Sequence, residues 1–370
     1  MKTGILTFYC SDNYGAMLQA CGLKYYVQSV CPETEIIPYA PAYLTGRHWL
    51  LPYCPFDSPA KSLRWAAAGL KRNLKAGRAF FRRRRNMKSF RQTYLVRKRK
   101  KIRSVRELEK TAYDIYITGS DQIWNPDITF GLRRAYFGAF RTGRPKRVIA
   151  YAASLGGNCL APGYAEEMRA LLRSVDSISL REETAVPYLK KLTEKELSVV
   201  SDPVFFLSAV QWQRFETPPE GKDYILVYDT ENNEALHRYA EKLSSRKSLP
   251  AVELLPGGAP GETSFPADAC AGPSEFLGYI HHAAYVVTNS FHAAAFCIIF
   301  HRPFLAFAHS SRNARLADLL AAYGLKERLA GPGRTPVDID QPVRWQEADE
   351  KKDRLTERSG RFLSRAIAGG

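Results

Sequence analysis

Short apolar runs that stop at a polar or glycine-containing turn, with helix-compatible stretches between them, constrain this chain more than any other feature. The first runs from Gly4 to Cys10. It meets Asn13-Tyr14-Gly15-Ala16 and then a helix from about Ala16, where Leu18, Cys21 and Tyr25 share a face at i, i+3, i+7 spacing. Asp114–Thr118, Arg147–Ala152 and Asp176–Leu180 repeat the pattern, with Tyr164–Leu172 and Glu182–Leu192 read as helices. A linker from Trp212 to Lys222 interrupts the rhythm, which then restarts with Tyr224–Tyr228 as a strand and Glu231–Leu243 as a helix. The strands Ala251–Leu255, Tyr285–Thr288 and Pro303–Phe307 follow, separated by the helices Glu275–His281 and Phe291–Phe300. Alternation of this kind predicts βαβ units and parallel sheets. The expected fold is α/β, with two Rossmann-like lobes facing a cleft: an N-terminal lobe over 1–211 and a C-terminal lobe over 222–340. A charged helix over 341–370 is expected to pack back on the first lobe.

Charge marks an insertion in the first lobe. The formal net charge is +17, and the stretch from Lys61 to Arg103 holds 18 Lys and Arg with no Asp or Glu. The rest of the chain then has 36 basic against 37 acidic residues, so this one segment carries the imbalance. Leu63, Leu70, Leu74, Phe81 and Phe90 are interleaved among the cations, which reads as a basic helical insertion over about 60–103. A solvated helical face explains it without a partner. Residues 61–103 also suit an anionic membrane surface, with nucleic acid ranked well behind. Seven cysteines without close regular spacing argue against a disulfide scaffold, and no Cys/His cluster has zinc spacing, so no metal is expected. No apolar run reaches the ~20 residues of a membrane span. Ser11-Asp12-Asn13 come too early for a signal peptide. The expected location is cytoplasmic, peripheral at the inner face of the membrane.

In open α/β sheets ligands collect beyond the carboxyl ends of the strands, so the polar residues that follow each strand are the candidates. Asn13 and Tyr14 open the first helix, where free backbone N–H groups favour an anion; an N-cap with a tight turn explains them as well. Asp121, Gln122 and Trp124 follow the Asp114–Thr118 strand and suit sugar hydroxyls, against a capped loop with a buried Trp. Arg181 ends another strand with the fork shape that grips a carboxylate or phosphate; a surface ion pair with Glu182 or Glu183 is the plainer explanation. Ser290 and His292 leave the Tyr285–Thr288 strand and enter an apolar helix, where an imidazole can exchange protons near neutral pH. The plainer account is a satisfied histidine beside a capping serine. Arg302, Arg312 and Arg315 would make the neighbouring rim positive.

Taken in order, Asn13-Tyr14-Gly15-Ala16, Gly119-Ser120-Asp121-Gln122-Ile123-Trp124-Asn125, Ala150–Ser154, Ser179–Glu183, Asp202-Pro203 and Ser290-Phe291-His292 resemble the polysaccharide pyruvyl transferase family. The resemblance covers roughly residues 1–330. It implies a two-lobed fold similar to GT-B glycosyltransferases, with the first lobe on the acceptor side and a donor-site helix in the second. The implied reaction moves a pyruvyl group from phosphoenolpyruvate, a co-substrate, to hydroxyls of a cell-surface polysaccharide or lipid-linked precursor. No further cofactor is implied. The family's donor-site arginine and histidine fall on Arg181 and His292. Several members carry an arginine where this chain has Ser290, so Arg302, Arg312 or Arg315 would complete the donor contacts. The competing expectations are a nucleotide-sugar glycosyltransferase on the same fold and a non-catalytic glycan- or membrane-binding relative.

Overall fold

The computed structural model of the chain describes all residues except 54, 56–57, 98–99, 145, 222, 256–264, 309–312, 332–336 and 370. Two six-stranded sheets account for the architecture, and every strand pairing in them is parallel. The first contains β1 (Thr3–Leu6), β2 (Thr34–Ile36), β3 (Ile115–Asp121), β4 (Arg147–Ala153), β5 (Ser177–Leu180) and β6 (Leu197–Val199), in the order β2-β1-β3-β4-β5-β6. The second contains β7 (Ile225–Tyr228), β8 (Ala251–Leu254), β9 (Ala267–Asp268), β10 (Tyr285–Thr288), β11 (Phe304–Phe307) and β12 (Leu329–Ala330), in the order β12-β11-β10-β7-β8-β9. Strand β7 is buried along its whole length, which is why it reads as a continuous apolar run rather than an alternating one; β3 is buried too but is apolar only over its first three residues.

Strand order reverses once in each sheet, between β1 and β3 and between β7 and β10. Those are the points where loops leave in opposite directions and a crevice opens. The loops after β1, β3, β7 and β10 therefore define where a ligand fits.

The helix Phe291–Phe300 is buried at all ten positions, and the Trp212 indole meets its Phe296 edge-on at 5.1 Å. Across the lobes Tyr14 stacks on Phe276 at 4.8 Å. The last helix, Trp345–Ala368, spans both lobes rather than the first alone: Trp345 stacks on His301 of the second at 4.8 Å, while further along Arg147 of the first donates to the Ile367 carbonyl at 2.7 Å and the Ser201 amide donates to Ser359 Oγ at 2.8 Å. The basic segment forms two helices, Pro59–Ala76 and Arg78–Phe90, broken at Gly77, whose φ of 51° suits a residue without Cβ. The second of these helices reaches the other lobe, where Arg83 Nη1 donates to Ala271 O at 3.1 Å and Asn86 Nδ2 to Cys270 O at 3.1 Å.

Three details differ from the sequence expectation. The first strand is Thr3–Leu6 rather than Gly4–Cys10, since the chain turns at Phe8–Ser11 with the Ser11 amide on the Phe8 carbonyl. In place of a helix over Glu182–Leu192 there is a 3-10 turn, Glu183–Ala185, and a four-residue helix, Val186–Leu189, whose Pro187 fits only a first turn. The edge strands β2 and β6 are three residues long, too short to leave an apolar run. Among the described residues, no helix is long and apolar enough to cross a membrane.

Candidate active site

The loops after β1, β3, β7 and β10 meet around a cavity of about 260 Å³. Asn13, Gly15, Asp121 and Gln122 form its wall on the first lobe; Thr230, Asn289, Ser290, His292 and Arg315 face them from the second. A larger hollow of about 460 Å³ lies between β5, β6 and the last helix, lined by Arg358, Arg361 and Arg365. It sits away from both strand-order reversals, so topology favours the smaller cavity.

His292 is placed by its helix and by a glycine. Ser290 caps the helix by accepting from the Ala293 amide, which puts His292 in the first turn at the cavity rim. Its ring lies against Gly15 of the opposite lobe: a Cβ there would come within 2.0 Å of His292 Nδ1. The Gly of Asn13-Tyr14-Gly15-Ala16 is thus required by a close approach between lobes. Asn13 accepts from the Ala16 amide at 3.0 Å and caps the helix that carries this glycine.

Behind His292 lies a buried charge cluster. Asp202 Oδ2 sits 3.7 Å from His292 Nε2, in ion-pair rather than hydrogen-bond range, and accepts from Arg181 Nη1 at 2.9 Å. Arg181 Nε donates to Glu182 Oε1 at 3.0 Å, and Asp121 Oδ1 lies 3.9 Å from Arg181 Nη1. Burial alone would raise the Asp202 carboxyl, but His292 and Arg181 beside it bring it down to about 2. For Arg181, burial works against the charge, and Glu182, Asp202 and Asp121 outweigh it, so its pKa is raised. Three carboxylates thus surround one guanidinium, and the Phe291 ring lies 4.5 Å from its centre.

This arrangement changes the role expected for Arg181. It shares Asp202 Oδ2 with His292, so the two are neighbours through one carboxylate, but it does not line the cavity. Its Nε and Nη1 are spent on Glu182 and Asp202, leaving Nη2 without a hydrogen-bond partner among the described residues. Among the described residues, the guanidinium lining the cavity is that of Arg315, carried by a helix over Asn313–Ala322 that the sequence pattern did not show. Arg315 is 8% exposed, with Nε 3.8 Å from Glu182 Oε1.

Asp121 and Gln122 do face the cavity. Asp121 adopts φ 72°, a left-handed conformation costly for a residue with a side chain and typical of functional loops. Gln122 accepts from Asn125 Nδ2 at 2.9 Å, which fixes its carboxamide.

Other expectations are corrected. Trp124 is fully buried, stacked on Phe137 at 5.0 Å and donating to the Tyr136 carbonyl at 3.1 Å, so it belongs to the core. Tyr14 is also buried: it donates to Ala271 O at 3.0 Å and receives Arg83 Nη1 at 2.6 Å, which makes it a contact between lobes. Arg302 follows the far end of the Phe291–Phe300 helix, roughly 15 Å from its first turn at 1.5 Å per residue, and does not line the cavity. Arg312 lies outside the described residues.

Sequence reasoning passed over Asp202, Thr230 and Asn289 as site residues. Asn289 Oδ1 accepts from both the Thr230 amide (2.8 Å) and hydroxyl (2.9 Å), while its Nδ2 donates to Asp229 at 2.5 Å. Their signal was the one used elsewhere: polar residues directly after β6, β7 and β10.

These features define a two-lobed α/β protein with a candidate site in the crevice between parallel sheets. The family model for polysaccharide pyruvyl transferase matches residues 13–311, and the chain belongs to that family. No curated protein matches the sequence. Among solved structures, it is similar to the UDP-GlcNAc 2-epimerase from Neisseria meningitidis bound to UDP-GlcNAc, at 10% identity over 100% of both chains with a TM-score of 0.47. It is also similar to the E. coli heptosyltransferase WaaC with ADP, at 12% identity over 96% of this chain and 99% of that one, with a TM-score of 0.41.

Proposed function

We propose that the protein transfers a pyruvyl group from phosphoenolpyruvate to hydroxyls of a glycan, forming a ketal. The observation that carries this is an imidazole held between the lobes by Gly15 and Asp202, at a small cavity that also presents Arg315 and a helix N-terminus. Phosphoenolpyruvate is a small dianion or trianion. The guanidinium of Arg315 and the first-turn amides of the Phe291–Phe300 helix would hold its carboxylate and phosphate. Ser290, where the family often has an arginine, already spends its hydroxyl as the helix cap, so Arg315 would take over that positive charge.

His292 would deliver a proton to the enol methylene, leaving a cation-like centre at the neighbouring carbon. One sugar hydroxyl attacks that carbon and phosphate departs; the second hydroxyl then closes the ketal. Asp202 would orient the ring, and Arg181 would keep Asp202 ionised, so Arg181 is a positioning residue. Asp121 and Gln122, fixed on the opposite wall, would receive the sugar hydroxyls. The small cavity volume, just under the ~300–1,000 Å³ common for ligand sites, favours this donor over a nucleotide sugar.

A ligand that binds only the native state raises apparent stability. Phosphoenolpyruvate should raise the Tm of the wild type and raise it less in Arg315→Ala. A shift produced by UDP-sugars, with none from phosphoenolpyruvate, would favour the glycosyltransferase reading instead. Pairing of the chain with a membrane surface through residues 61–103 adds nothing that this reaction requires.

A further inference from the structure

A further cavity, of about 540 Å³, opens on the first lobe. Arg84, Arg85 and Lys88 line it from the helix Arg78–Phe90, and Arg91, Arg97 and Lys101 from the chain that follows. Among the described residues, the one carboxylate in the lining is Asp12, and it is neutralised: Arg91 Nη2 contacts its Oδ1 at 2.5 Å, while Arg91 Nε donates to the Tyr9 carbonyl at 3.2 Å. Among the described residues, the other five cations have no carboxylate partner. Five like charges converging on one hollow give it a positive potential that attracts an anion.

Position ties this hollow to the active site. Asp12 lines it, and the next residue, Asn13, lines the catalytic cavity. Arg83 fixes the corner between them by donating to the Asp12 carbonyl at 3.1 Å and to Tyr14 Oη at 2.6 Å. Phe81, 59% exposed, completes an apolar lip.

Resting on the proposed reaction, we infer that this hollow is a subsite for a phosphate or diphosphate group carried by the glycan acceptor. The cations grip the phosphoryl oxygens while the sugar reaches past Asp12 and Asn13 into the catalytic cavity. The acceptor is then a phosphorylated glycan rather than a bare one. Six of the cations in the second half of residues 61–103 line this pocket.

The test uses the full chain. Isothermal titration with inorganic pyrophosphate should show binding to the wild type and to His292→Gln alike. Arg84→Ala/Lys88→Ala should weaken it by roughly 10- to 100-fold, as the loss of two charge-assisted contacts implies. Lys61→Ala/Arg64→Ala, on the first basic helix and outside the lining, should bind as the wild type does. In turnover, the KM for an oligosaccharide bearing a terminal diphosphate should lie at least ~10-fold below that for the same oligosaccharide without it. That ratio should fall toward one in Arg84→Ala/Lys88→Ala. Equal weakening by both double variants overturns the subsite. So does co-sedimentation with phosphatidylcholine–phosphatidylglycerol vesicles that pyrophosphate does not displace, which assigns the cations to a lipid surface. If no glycan releases phosphate from phosphoenolpyruvate, the reaction fails, yet the pyrophosphate titration still decides the pocket.

Discussion

Two sets of arginines lie within a few residues of the cleft and behave as opposites. Arg181 is buried, and its charge is answered by Glu182, Asp202 and Asp121. Arg84 and Arg85 are exposed, and no carboxylate answers them among the described residues. A buried cation in a carboxylate cage is part of the protein's own architecture, and removing one partner strands the others. An exposed, unanswered cation costs the fold little and is available to something outside it. Charge count alone does not separate the two; the neighbouring carboxylates do.

The comparison can be broken in several places. The largest effect belongs to His292, which both walls hold in place. His292→Gln should lower kcat by ~10²–10⁴ with the fold intact, as judged by circular dichroism and urea unfolding. A variant within threefold of wild type would remove the imidazole from the chemistry.

Next comes the cage. Arg181→Met leaves three carboxylates facing one another and should cost about 3–5 kcal/mol in urea unfolding. A loss under about 1 kcal/mol would mean that the cluster is wetter and weaker than its geometry indicates.

Gly15→Ala puts a methyl group into the His292 ring. It should cost about 1–3 kcal/mol, as overpacking does, and lower turnover by displacing the ring. The double variant with His292→Ala should recover the stability, because the clash is with that ring alone at its three nearest atoms.

Asp202 gives the cage a pH signature. Its folded pKa of about 2 lies below the ordinary carboxylate value, so its contribution is full above about pH 4 and is lost as pH falls toward 2. The stability gap between the wild type and Asp202→Asn should therefore narrow by about 2 kcal/mol over that window. An unchanged gap would show that Asp202 is not held ionised by Arg181 and His292.

The smallest effect is on the basic helix. Arg84→Ala/Lys88→Ala should change stability by no more than about 0.5 kcal/mol, in contrast with the buried arginine.

Much of the fold was legible because parallel strands buried on both faces leave unbroken apolar runs, and their ends are marked by polar turns. Hence β3, β4, β7 and β10, and Asp121 at the end of β3 with Gln122, Ser290 and His292 beyond the strand ends, stood out in the sequence. What stayed hidden depends on contacts between distant segments. Arg181 read as a donor grip because its sequence neighbours show Glu182 but not Asp202, 21 residues on, or Asp121, 60 residues back. Trp124 read as a sugar platform because nothing local reveals Phe137 stacked on it. The helix that brings Arg315 to the cavity, Asn313–Ala322, was not read from the sequence pattern. Gly15 looked like a turn residue until His292 of the other lobe was found lying against it.

The most direct measurement mixes the protein with phosphoenolpyruvate and candidate glycans, and follows inorganic phosphate together with the mass of the glycan. The account predicts one phosphate released per pyruvyl ketal formed, in the wild type and only weakly in His292→Gln. Release of phosphate at equal rates from both proteins, or transfer of a sugar from a nucleotide donor in its place, would contradict it.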